Sequence, residues 1–425
     1  MYIAVLGGGI AGISANYHAK INGYHCEIFE AGQRYGGLLD NFQINEFRFD
    51  TAVHLSFTKD KCVRDIFDKV EYLTLKPQAY NYSNGYWLKH PVQNNLYPLP
   101  VEEKVLAVNE FINRPKKSGQ ENYKSWLLGQ YGNYIAENYP LLYTRKYWTV
   151  DAEKLSTDWV GNRMYKPSID EVLFGAMTDQ TPNTYYAKEM RYPQIGGYRK
   201  FVESMAEECR IHLNKKAIRI NLKKKKIEFA DGSSNYYENL ISTIPLPELV
   251  KIVSDIPNNV KDIATDLWAT SVQLISIGFN RPDIAKYLWF YVYDEDIEVA
   301  RAYSPNLKSQ DNVPDGCSSL QFEIYHSKYK PLKMQEDALI EHIISAMKKM
   351  KLAEKNDIVI TDCRNVPYAN VVFDLGMVKK RNILRDYLDG MGIKTAGRFG
   401  EWDYLWSDQS LLSGKRAIES LAGLI

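Results

Sequence analysis

The pattern of apolar and polar positions near the N terminus predicts a strand, a helix and a second strand. Residues 2–6 form a short apolar run that is typical of a buried parallel strand, and residues 13–22 repeat apolar positions at helical spacing. The β-rich run 25–29 follows and ends at Glu30, while the glycine-rich stretch 7–12 lies between the first strand and the helix. This order of elements is typical of the opening βαβ unit of a doubly wound α/β domain.

Gly7, Gly9 and Gly12 form the pattern G-x-G-x-x-G. Gly7 permits a tight turn, Gly9 lets the backbone approach a pyrophosphate, and Gly12 lets the helix pack close to the strand. The N–H groups at the start of the helix would face the phosphates. Glu30 can accept hydrogen bonds from ribose hydroxyls, and its charge argues against a 2′-phosphate. The sequence therefore predicts a dinucleotide site, against the alternative of a strand–helix turn that is merely tight.

Further along the chain, the pattern predicts a helical region and then a strand-rich one. Residues 72–100 alternate in β fashion and include the hairpin signal Asn84-Gly85, whereas residues 101–155 read as helical. Residues 268–330 are apolar and strand-rich, which fits an antiparallel sheet. The other predicted elements are a turn at 191–198, helices at 200–209, 335–350 and 409–421, and strands at 211–213, 217–221, 227–230, 239–244, 272–279, 289–293 and 393–396.

Length and charge limit the classes of function. At 425 residues the chain is too long for one simple core, so we expect two or three lobes. The formal net charge of +1 argues against nucleic acid as a partner, and the basic run 223–226 is interpreted as a solvated hairpin turn. An apolar run of about 18 residues, which would indicate a membrane span, is absent from the sequence.

The cysteines and the N terminus indicate a compartment. Five cysteines are scattered without a C-x-x-C pair, which suits a reducing environment and indicates neither a zinc site nor a disulfide framework. Met1 leads directly into the first strand and leaves no room for a signal peptide. We therefore expect a cytoplasmic protein and no metal site.

Residues 30–37 narrow the choice of cofactor. The run from Glu30 to Arg34, followed by Gly36 and Gly37, resembles the FAD-binding signature of the glutathione-reductase-like flavoproteins, which include the amine oxidases, protoporphyrinogen oxidases and UDP-galactopyranose mutases. The resemblance implies FAD, with glycines that let the chain pass close to the cofactor and with Arg34 facing a phosphate. A surface turn with a solvated arginine is the alternative.

A second match lies near the C terminus. A short strand runs into residues 397–400, and a closing helix follows at 409–421. Related flavoproteins use such an element to place backbone N–H groups at the pyrimidine and ribityl end of FAD, so Gly397, Arg398 and Asp408 are assigned to cofactor binding by resemblance. A helix N terminus at this place would stabilise negative charge on reduced flavin. An ordinary last βα unit is the alternative.

Over nearly the whole chain, the order of elements is similar to that of the UDP-galactopyranose mutases. Residues 126–159 resemble the mutase lobe that ends in a Lys-x-Trp-type turn, and residues 397–400 with Tyr404 downstream resemble the mutase stretch G-R-x-G. Where the mutase loop carries G-P-H-x-x-H, residues 52–57 keep only the first histidine, His54. This departure from the mutase pattern bears on the identity of the substrate more than on that of the cofactor.

The mutase resemblance implies an activity: the interconversion of the pyranose and furanose forms of a nucleotide sugar through N5 of reduced FAD, without net redox change, for cell-surface polysaccharide or LPS biosynthesis. The implied catalytic residues are His54, Arg163, Arg301 and Tyr404, and the implied substrate-binding residues are Trp148, Arg191 and Tyr303. Arginines would clamp the diphosphate, with Arg301 as one and Arg163 or Arg191 as the other.

An oxidoreductase of the amine oxidase or protoporphyrinogen oxidase type, which passes hydride from its substrate to FAD, is the alternative enzyme. Its distinguishing feature would be an apolar or aromatic-cage pocket without diphosphate-binding arginines. A flavin-fold protein with only a binding or structural role is a third reading. A small-molecule substrate is the expected partner, and a homodimer stays open as the assembly state.

These observations together predict an α/β protein with a discontinuous Rossmann-type FAD-binding domain, a helical insertion and an antiparallel-sheet substrate domain. Residues 1–70, 190–250 and 355–425 are assigned to the FAD-binding domain. Residues 71–189 are assigned to a mainly helical substrate lobe, and residues 251–354 to the antiparallel sheet.

Overall fold

The computed structural model describes residues 1–115, 121–182 and 187–423. The strands within these ranges are β1 (Tyr2–Leu6), β2 (His25–Phe29), β3 (Asn41–Ile44), β4 (Phe47–Asp50), β5 (Tyr72–Leu75), β6 (Ala79–Ser83), β7 (Tyr86–Lys89), β8 (Met190–Pro193), β9 (Ile211–His212), β10 (Ala217–Asn221), β11 (Lys226–Phe229), β12 (Ser234–Tyr236), β13 (Asn239–Ser242), β14 (Ala269–Phe279), β15 (Trp289–Val292), β16 (Arg301–Tyr303), β17 (Ser318–His326), β18 (Ile358–Val371) and β19 (Ile393–Thr395). The α-helices within the same ranges are α1 (Ile10–Ile21), α2 (Lys61–Phe67), α3 (Val101–Ile112), α4 (Tyr123–Asn138), α5 (Pro140–Tyr147), α6 (Ile169–Met177), α7 (Lys200–Ala206), α8 (Leu246–Ile252), α9 (Asn258–Asp266), α10 (Pro305–Lys308), α11 (Glu336–Lys349), α12 (Met377–Gly390), α13 (Gly397–Gly400) and α14 (Ser407–Leu421).

A five-stranded parallel sheet carries the predicted dinucleotide site, with strand order β19-β13-β1-β2-β9. Its strands come from three separated stretches of the chain, so the Rossmann-type domain is discontinuous, as the sequence predicts. Ile3 and Val5 of β1 are fully buried, as is typical of a parallel sheet covered by helices on both faces. The carboxyl ends of β1, β2, β13 and β19 meet at one edge, which is where ligands bind in such sheets.

A seven-stranded, largely antiparallel sheet stands beside it, with strand order β18-β14-β17-β16-β15-β6-β7. Strands β14 and β18 pair over most of their length, and β15 pairs with β6 in parallel. This sheet takes β6 and β7 from within the predicted helical lobe, and β18 from within a segment assigned to the FAD-binding domain. Local periodicity does not reveal such pairing between distant segments, and the domain boundaries stay a prediction.

The helical insertion is built from α3 to α6. The kink in α4 lies at Gly132, whose φ is +76°, and a Cβ there would stand 2.5 Å from the carbonyl oxygen of Glu110. The predicted hairpin signal joins β6 to β7, with Asn84 and Gly85 both at positive φ. The predicted turn at 191–198 begins later than expected, because residues up to Pro193 pair with β5 before the turn at Gly196 and Gly197.

Among the described residues, no helix is both long and apolar enough to cross a membrane. The basic run 223–226 lies where β10 turns into β11, which confirms its interpretation as a hairpin turn.

Candidate active site

A cavity with a volume of about 1140 Å³ lies between the two sheets. Its walls include the glycine-rich turn after β1, the loop after β4, strand β16, the middle of β18 and the segment from α13 to the start of α14. The predicted site residues that line it are Gly7, Gly9, Glu30, Gly36, Gly37, His54, Arg301, Gly397, Arg398 and Tyr404. Residues from distant parts of the sequence therefore share one cavity, and their roles toward a cofactor or a substrate stay predictions.

The glycine-rich turn has the shape that a dinucleotide requires. Gly9 is the N-cap of the 12-residue helix α1 and makes no side-chain capping bond, and a Cβ on Gly9 would meet no atom within 4 Å. A Cβ on Gly12 would instead lie 2.0 Å from the carbonyl oxygen of Gly7, so Gly12 is required by helix–strand packing. The open space at Gly9 and the unmade bonds of the helix N terminus fit a pyrophosphate.

Glu30 is held in place by backbone amides. Its Oε2 accepts a hydrogen bond of 2.6 Å from the N–H of Gly8, and its Oε1 accepts one of 2.7 Å from the N–H of Gly32. Glu30 also lines the cavity at the end of β2. Each carboxylate oxygen keeps acceptor capacity toward the cavity, which fits ribose hydroxyls.

The two glycines after β2 pack against the first turn, whereas Arg34 points elsewhere. Gly36 and Gly37 have φ of +119° and +56°, and the N–H of Gly36 donates to the carbonyl oxygen of Gly8 over 2.8 Å. Arg34 makes a two-point contact with Asp40, from Nε over 2.8 Å and from Nη2 over 2.9 Å, and does not line the cavity. Its assignment to a phosphate stays a prediction.

The C-terminal element closes the cavity from the other side. Gly397 has φ of +79° and approaches α1 so closely that a Cβ on it would lie 2.6 Å from Cβ of Ala11. Its N–H donates to Oγ of Ser413 over 2.7 Å, whereas Arg398 lines the cavity. Asp408 lies in the first turn of α14 outside the cavity lining, between Ser407 and Ser410, which do line it.

His54 lies in the loop that follows β4. Its Nδ1 lies 3.3 Å from the carbonyl oxygen of Ala52, and its ring centroid lies 5.3 Å from that of Tyr198. Burial lowers the pKa of His54 from 6.5 to about 4, against the opposing effect of Asp50. The imidazole at the cavity wall is therefore neutral at neutral pH.

We expect the protein to lose stability as the pH falls from about 6.5 to 4, in part through His54. Between these pH values His54 binds a proton in the unfolded chain but not in the folded protein. The free energy of unfolding therefore falls by about 2 kcal/mol. Urea titrations of the FAD-saturated protein across this range should show a smaller loss for His54→Gln than for the wild type.

The control for this experiment is His25→Gln, since the side chain of His25 is 63% exposed. The His25→Gln protein should follow the wild-type profile. Identical profiles for His54→Gln and the wild type would show that His54 is not held neutral by the fold.

A tyrosine pair links the helical insertion to the C-terminal element. The hydroxyl groups of Tyr147 and Tyr404 lie 2.7 Å apart, and the hydroxyl of Tyr147 donates to Oδ1 of Asn370 over 3.1 Å. Nη2 of Arg398 donates to the same Oδ1 over 3.3 Å. Tyr147 and Asn370 both line the cavity, and the sequence analysis assigned neither. Only the position of Tyr147 beside Trp148 in a mutase-like run could have indicated it.

Two arginines pack against the ring of Tyr404. The guanidinium carbon of Arg398 lies 4.6 Å from the ring centroid, and that of Arg163 lies 4.9 Å from it and 4.7 Å from the ring of Trp406. Nε of each arginine is buried without a hydrogen-bond partner among the described residues. Asp403, whose charge acts on Arg163, is paired with Arg381 instead. Burial lowers the pKa of Arg163, and the guanidinium group donates to the carbonyl oxygens of Trp159 over 3.1 Å and Tyr404 over 2.6 Å, so Arg163 lies outside the cavity lining and supports Tyr404.

Arg301 has a different environment. Its guanidinium group forms an ion pair of 2.7 Å with Glu323, a fully buried residue that also accepts a hydrogen bond from the hydroxyl of Tyr325. Burial by itself acts against the charged form, but the charges of Glu323 and Tyr325 raise the pKa of Arg301 well above its ordinary value. Arg301 therefore lines the cavity with its charge already balanced.

The three predicted substrate-binding residues lie outside the cavity lining. Trp148 is buried, with its ring centroid 4.9 Å from that of Trp159 and 5.5 Å from that of Tyr404. Arg191 donates from Nη1 to the carbonyl oxygen of Thr58 over 3.0 Å. Tyr303 is fully buried and donates to the carbonyl oxygen of Asp50 over 3.1 Å. Of these contacts only that of Trp148 with Tyr404 reaches a lining residue, and direct contact of the three residues with substrate stays a prediction.

Two family models match the chain. Residues 5–70 match the model described as an NAD(P)-binding Rossmann-like domain, and residues 134–386 match the model described as flavin containing amine oxidoreductase. The second match covers more than half of the chain. The chain belongs to the flavin containing amine oxidoreductase family. The predicted flavoprotein superfamily, the α/β fold and the flavin cofactor are thereby confirmed.

The known proteins that are similar to this chain are flavoenzymes of two kinds, oxidases and a mutase. The L-amino-acid oxidase of Crotalus adamanteus is 23% identical over 236 residues, which are 51% of this chain but only 44% of the oxidase. A structure of reduced UDP-galactopyranose mutase is 25% identical and superposes with a TM-score of 0.94 over all of this chain and 96% of that one. A putrescine oxidase bound to putrescine is 14% identical with a TM-score of 0.71, over 100% of this chain and 99% of that one, and shows the fold alone.

The amine oxidoreductase relatives and the mutase structure together show that this protein is a flavoenzyme, of the mutase-like or the oxidoreductase type. The cavity does not decide between these types by its shape, because both need a flavin and a small substrate beside it. Cations in the cavity wall favour an anionic substrate, such as a diphosphate, over a simple amine.

Proposed function

We propose that this protein is an FAD-dependent isomerase of nucleotide sugars that interconverts pyranose and furanose rings, like UDP-galactopyranose mutase. The observation that carries the proposal is Arg398, a half-buried guanidinium group that lines the cavity and has no carboxylate partner among the described residues, with Arg163 packed against the same ring of Tyr404. A partly desolvated cation without a carboxylate partner is costly, so the presence of Arg398 at the cavity wall favours an anionic ligand. The likeness to the mutase structure over the whole chain supports the same reading.

Reduced FAD, when bound, supplies a nucleophile for the anomeric carbon. The chain contributes binding and orientation: Arg398 would hold the diphosphate while it leaves and returns, and Arg163 would hold Tyr404 in place and add its charge from behind the wall. The hydroxyl of Tyr404, which lies 2.7 Å from that of Tyr147, would donate to a phosphate oxygen, while the hydroxyl of Tyr147 keeps its bond to Asn370. His54 would lie near the flavin, and because its imidazole is neutral it adds no positive charge beside the sugar. Arg301, whose charge is balanced by that of Glu323, would hold the neighbouring part of the cavity wall in a fixed orientation.

We expect Arg398→Met to weaken UDP binding by about a hundredfold, the loss of about 3 kcal/mol from a charge-assisted contact, and Arg163→Met to weaken it by a smaller factor because Arg163 acts through Tyr404. Titration of UDP against the flavin absorbance of each variant measures this loss. Arg145→Met, in the same helical lobe, is the matched control because Arg145 is 47% exposed and pairs with Glu295. Undiminished UDP binding in both variants would remove the basis of the diphosphate site.

The proposed reaction is tested directly with the purified protein, reduced by dithionite under anaerobic conditions and incubated with UDP-galactopyranose. Chromatography should reveal a furanose product only when the flavin is reduced. If no product forms and UDP leaves the flavin spectrum unchanged, the nucleotide-sugar proposal is wrong.

An FAD-dependent oxidoreductase of the amine oxidase type is the second candidate. It is favoured by the aromatic side chains of Trp289, Tyr291 and Tyr325, which line the cavity on the side of the antiparallel sheet. The family model and the partial match to an L-amino-acid oxidase point the same way. Anaerobic reduction of the oxidised flavin by an amine or amino acid would establish this activity.

The cellular setting belongs to the same proposal. A cytoplasmic location is supported by the five cysteines, all of which are free thiols. The product would serve the synthesis of cell-surface polysaccharide or LPS, and the working assembly would be a monomer or a homodimer. Fractionation and size-exclusion chromatography with light scattering test these points.

A further inference from the structure

Asp50 and Lys308 form a fully buried ion pair behind the cavity wall. Nζ of Lys308 lies 2.5 Å from Oδ2 of Asp50, and both side chains are 0% exposed. The same Oδ2 accepts a hydrogen bond of 2.7 Å from the hydroxyl of Tyr192, and Oδ1 accepts one of 3.0 Å from the N–H of Tyr198. The carboxylate is therefore held by three donors from two distant segments of the chain, residues 192–198 and Lys308.

The ion pair joins two elements that are far apart in the sequence, β4 and α10. Asp50 ends β4, whereas Lys308 ends α10, the short helix that follows β16 of the antiparallel sheet. Nζ of Lys308 lies 4.5 Å from the ring centroid of Tyr192 and 4.2 Å from that of Tyr303. Tyr303 donates to the carbonyl oxygen of Asp50, so the backbone at Asp50 is held as firmly as its side chain.

The cavity-lining loop 51–57 begins directly after Asp50. Ala52 adopts φ of +68°, a conformation that a residue with a side chain adopts only under local constraint. The N–H of Val53 lies 3.3 Å from Oε1 of Glu323, and Ser56 pairs with the backbone of Arg191. His54 stands between these anchors and lines the cavity.

A buried ion pair adds little net stability, because desolvation of the two charges offsets most of their attraction. Its geometry is nevertheless specific, since removing either partner leaves an uncompensated charge. We propose that the Asp50–Lys308 pair is a positioning device for the flavin site, which sets the loop 51–57 and through it the place of the His54 ring at the cofactor. This inference rests on the flavin site alone and holds for either proposed function.

Lys308→Met tests the proposal in a double-mutant cycle with His54→Asn, with the FAD reduction potential and the FAD dissociation constant as readouts. We expect each single variant to bind FAD about tenfold more weakly and to shift the reduction potential. If the pair acts through His54, Lys308→Met adds little to either readout once His54 has been replaced. Asp50→Asn, which keeps an acceptor for Tyr198, serves as a second variant if Lys308→Met does not fold.

The matched control is the pair Asp294 and Lys349, a buried carboxylate with a lysine partner 2.7 Å away, neither of which lines the cavity. Lys349→Met should change thermal stability and leave the reduction potential and the visible spectrum of FAD unchanged. The proposal is overturned if Lys308→Met only lowers the melting temperature, or if its effects on FAD add fully to those of His54→Asn. Neither readout depends on turnover, so a failed mutase assay leaves this test intact.

Discussion

Replacing Lys146 by Met should lower the free energy of unfolding by about 4 kcal/mol, one of the largest effects of any single change in this protein. Lys146 lies at the end of α5 and is 5% exposed, and no carboxylate of the described part of the chain pairs with its ammonium group. The three N–H groups of Nζ are instead shared among four backbone carbonyl oxygens, those of Val292, Asp294, Ile297 and Val299, at 2.9, 2.6, 2.7 and 3.1 Å.

The cost follows from what the substitution leaves behind. These carbonyl groups belong to the connection between β15 and β16, and methionine offers them no donor. Leaving a buried acceptor without a partner costs about 1–3 kcal/mol, and partial entry of water recovers some of that loss. Tyr147 follows directly on the same helix, so the Tyr147–Tyr404 contact at the cavity should loosen as well.

Urea unfolding followed by circular dichroism and flavin fluorescence measures the effect on Lys146→Met. Lys124→Met is the control from the same lobe, because the ion pair of Lys124 with Glu153 is exposed and such pairs contribute about 0–1 kcal/mol. A Lys146→Met protein as stable as the control would show that water replaces the ammonium group at no cost.

Gly12→Ala and Gly9→Ala should both abolish tight FAD binding, for different reasons. A Cβ on Gly12 would stand 2.0 Å from the carbonyl oxygen of Gly7, so α1 must move away from β1 and the fold itself is damaged. Gly9 has φ of −78°, which alanine adopts freely, and its Cβ would meet no protein atom within 4 Å. The methyl group would occupy the space that a pyrophosphate needs, so only the cofactor is excluded.

Titration of FAD into each flavin-free protein should show affinity reduced by about a hundredfold or more in both variants, a loss of about 3 kcal/mol. Thermal unfolding of the flavin-free proteins separates the causes: Gly12→Ala should unfold well below the wild type, and Gly9→Ala close to it. Ordinary FAD affinity in Gly9→Ala would place the pyrophosphate elsewhere in the cavity.

Local sequence patterns predicted the parts of the fold that depend on nearest neighbours. The strand at 217–221 lies where periodicity predicts it, and the closing helix predicted at 409–421 begins only two residues earlier, at Ser407. Glycine requirements are also local, because a tight turn and a close helix–strand contact are made by residues that lie next to each other in the chain. The dinucleotide cradle was therefore predictable in detail.

The distribution of charge in the cavity was not predictable in this way. The sequence does not distinguish the charge environments of Arg163, Arg301 and Arg398. Among these three, only Arg301 pairs with a buried carboxylate, that of Glu323. Trp148 is a plausible stacking residue by resemblance, but the fold buries it behind Tyr404. Such outcomes depend on which distant strand or helix packs beside each side chain.

The sequence by itself determined the βαβ opening, the flavin-binding glycines and the succession of helical and strand-rich regions, because each follows from backbone geometry and local periodicity. Tertiary structure alone decided that β6, β7 and β18 complete the antiparallel sheet, and that Asp50 meets Lys308 across 258 positions of the chain. It also decided which arginines keep an unbalanced charge. Charge balance and burial are properties of packed neighbours, and neighbours are chosen by the whole fold.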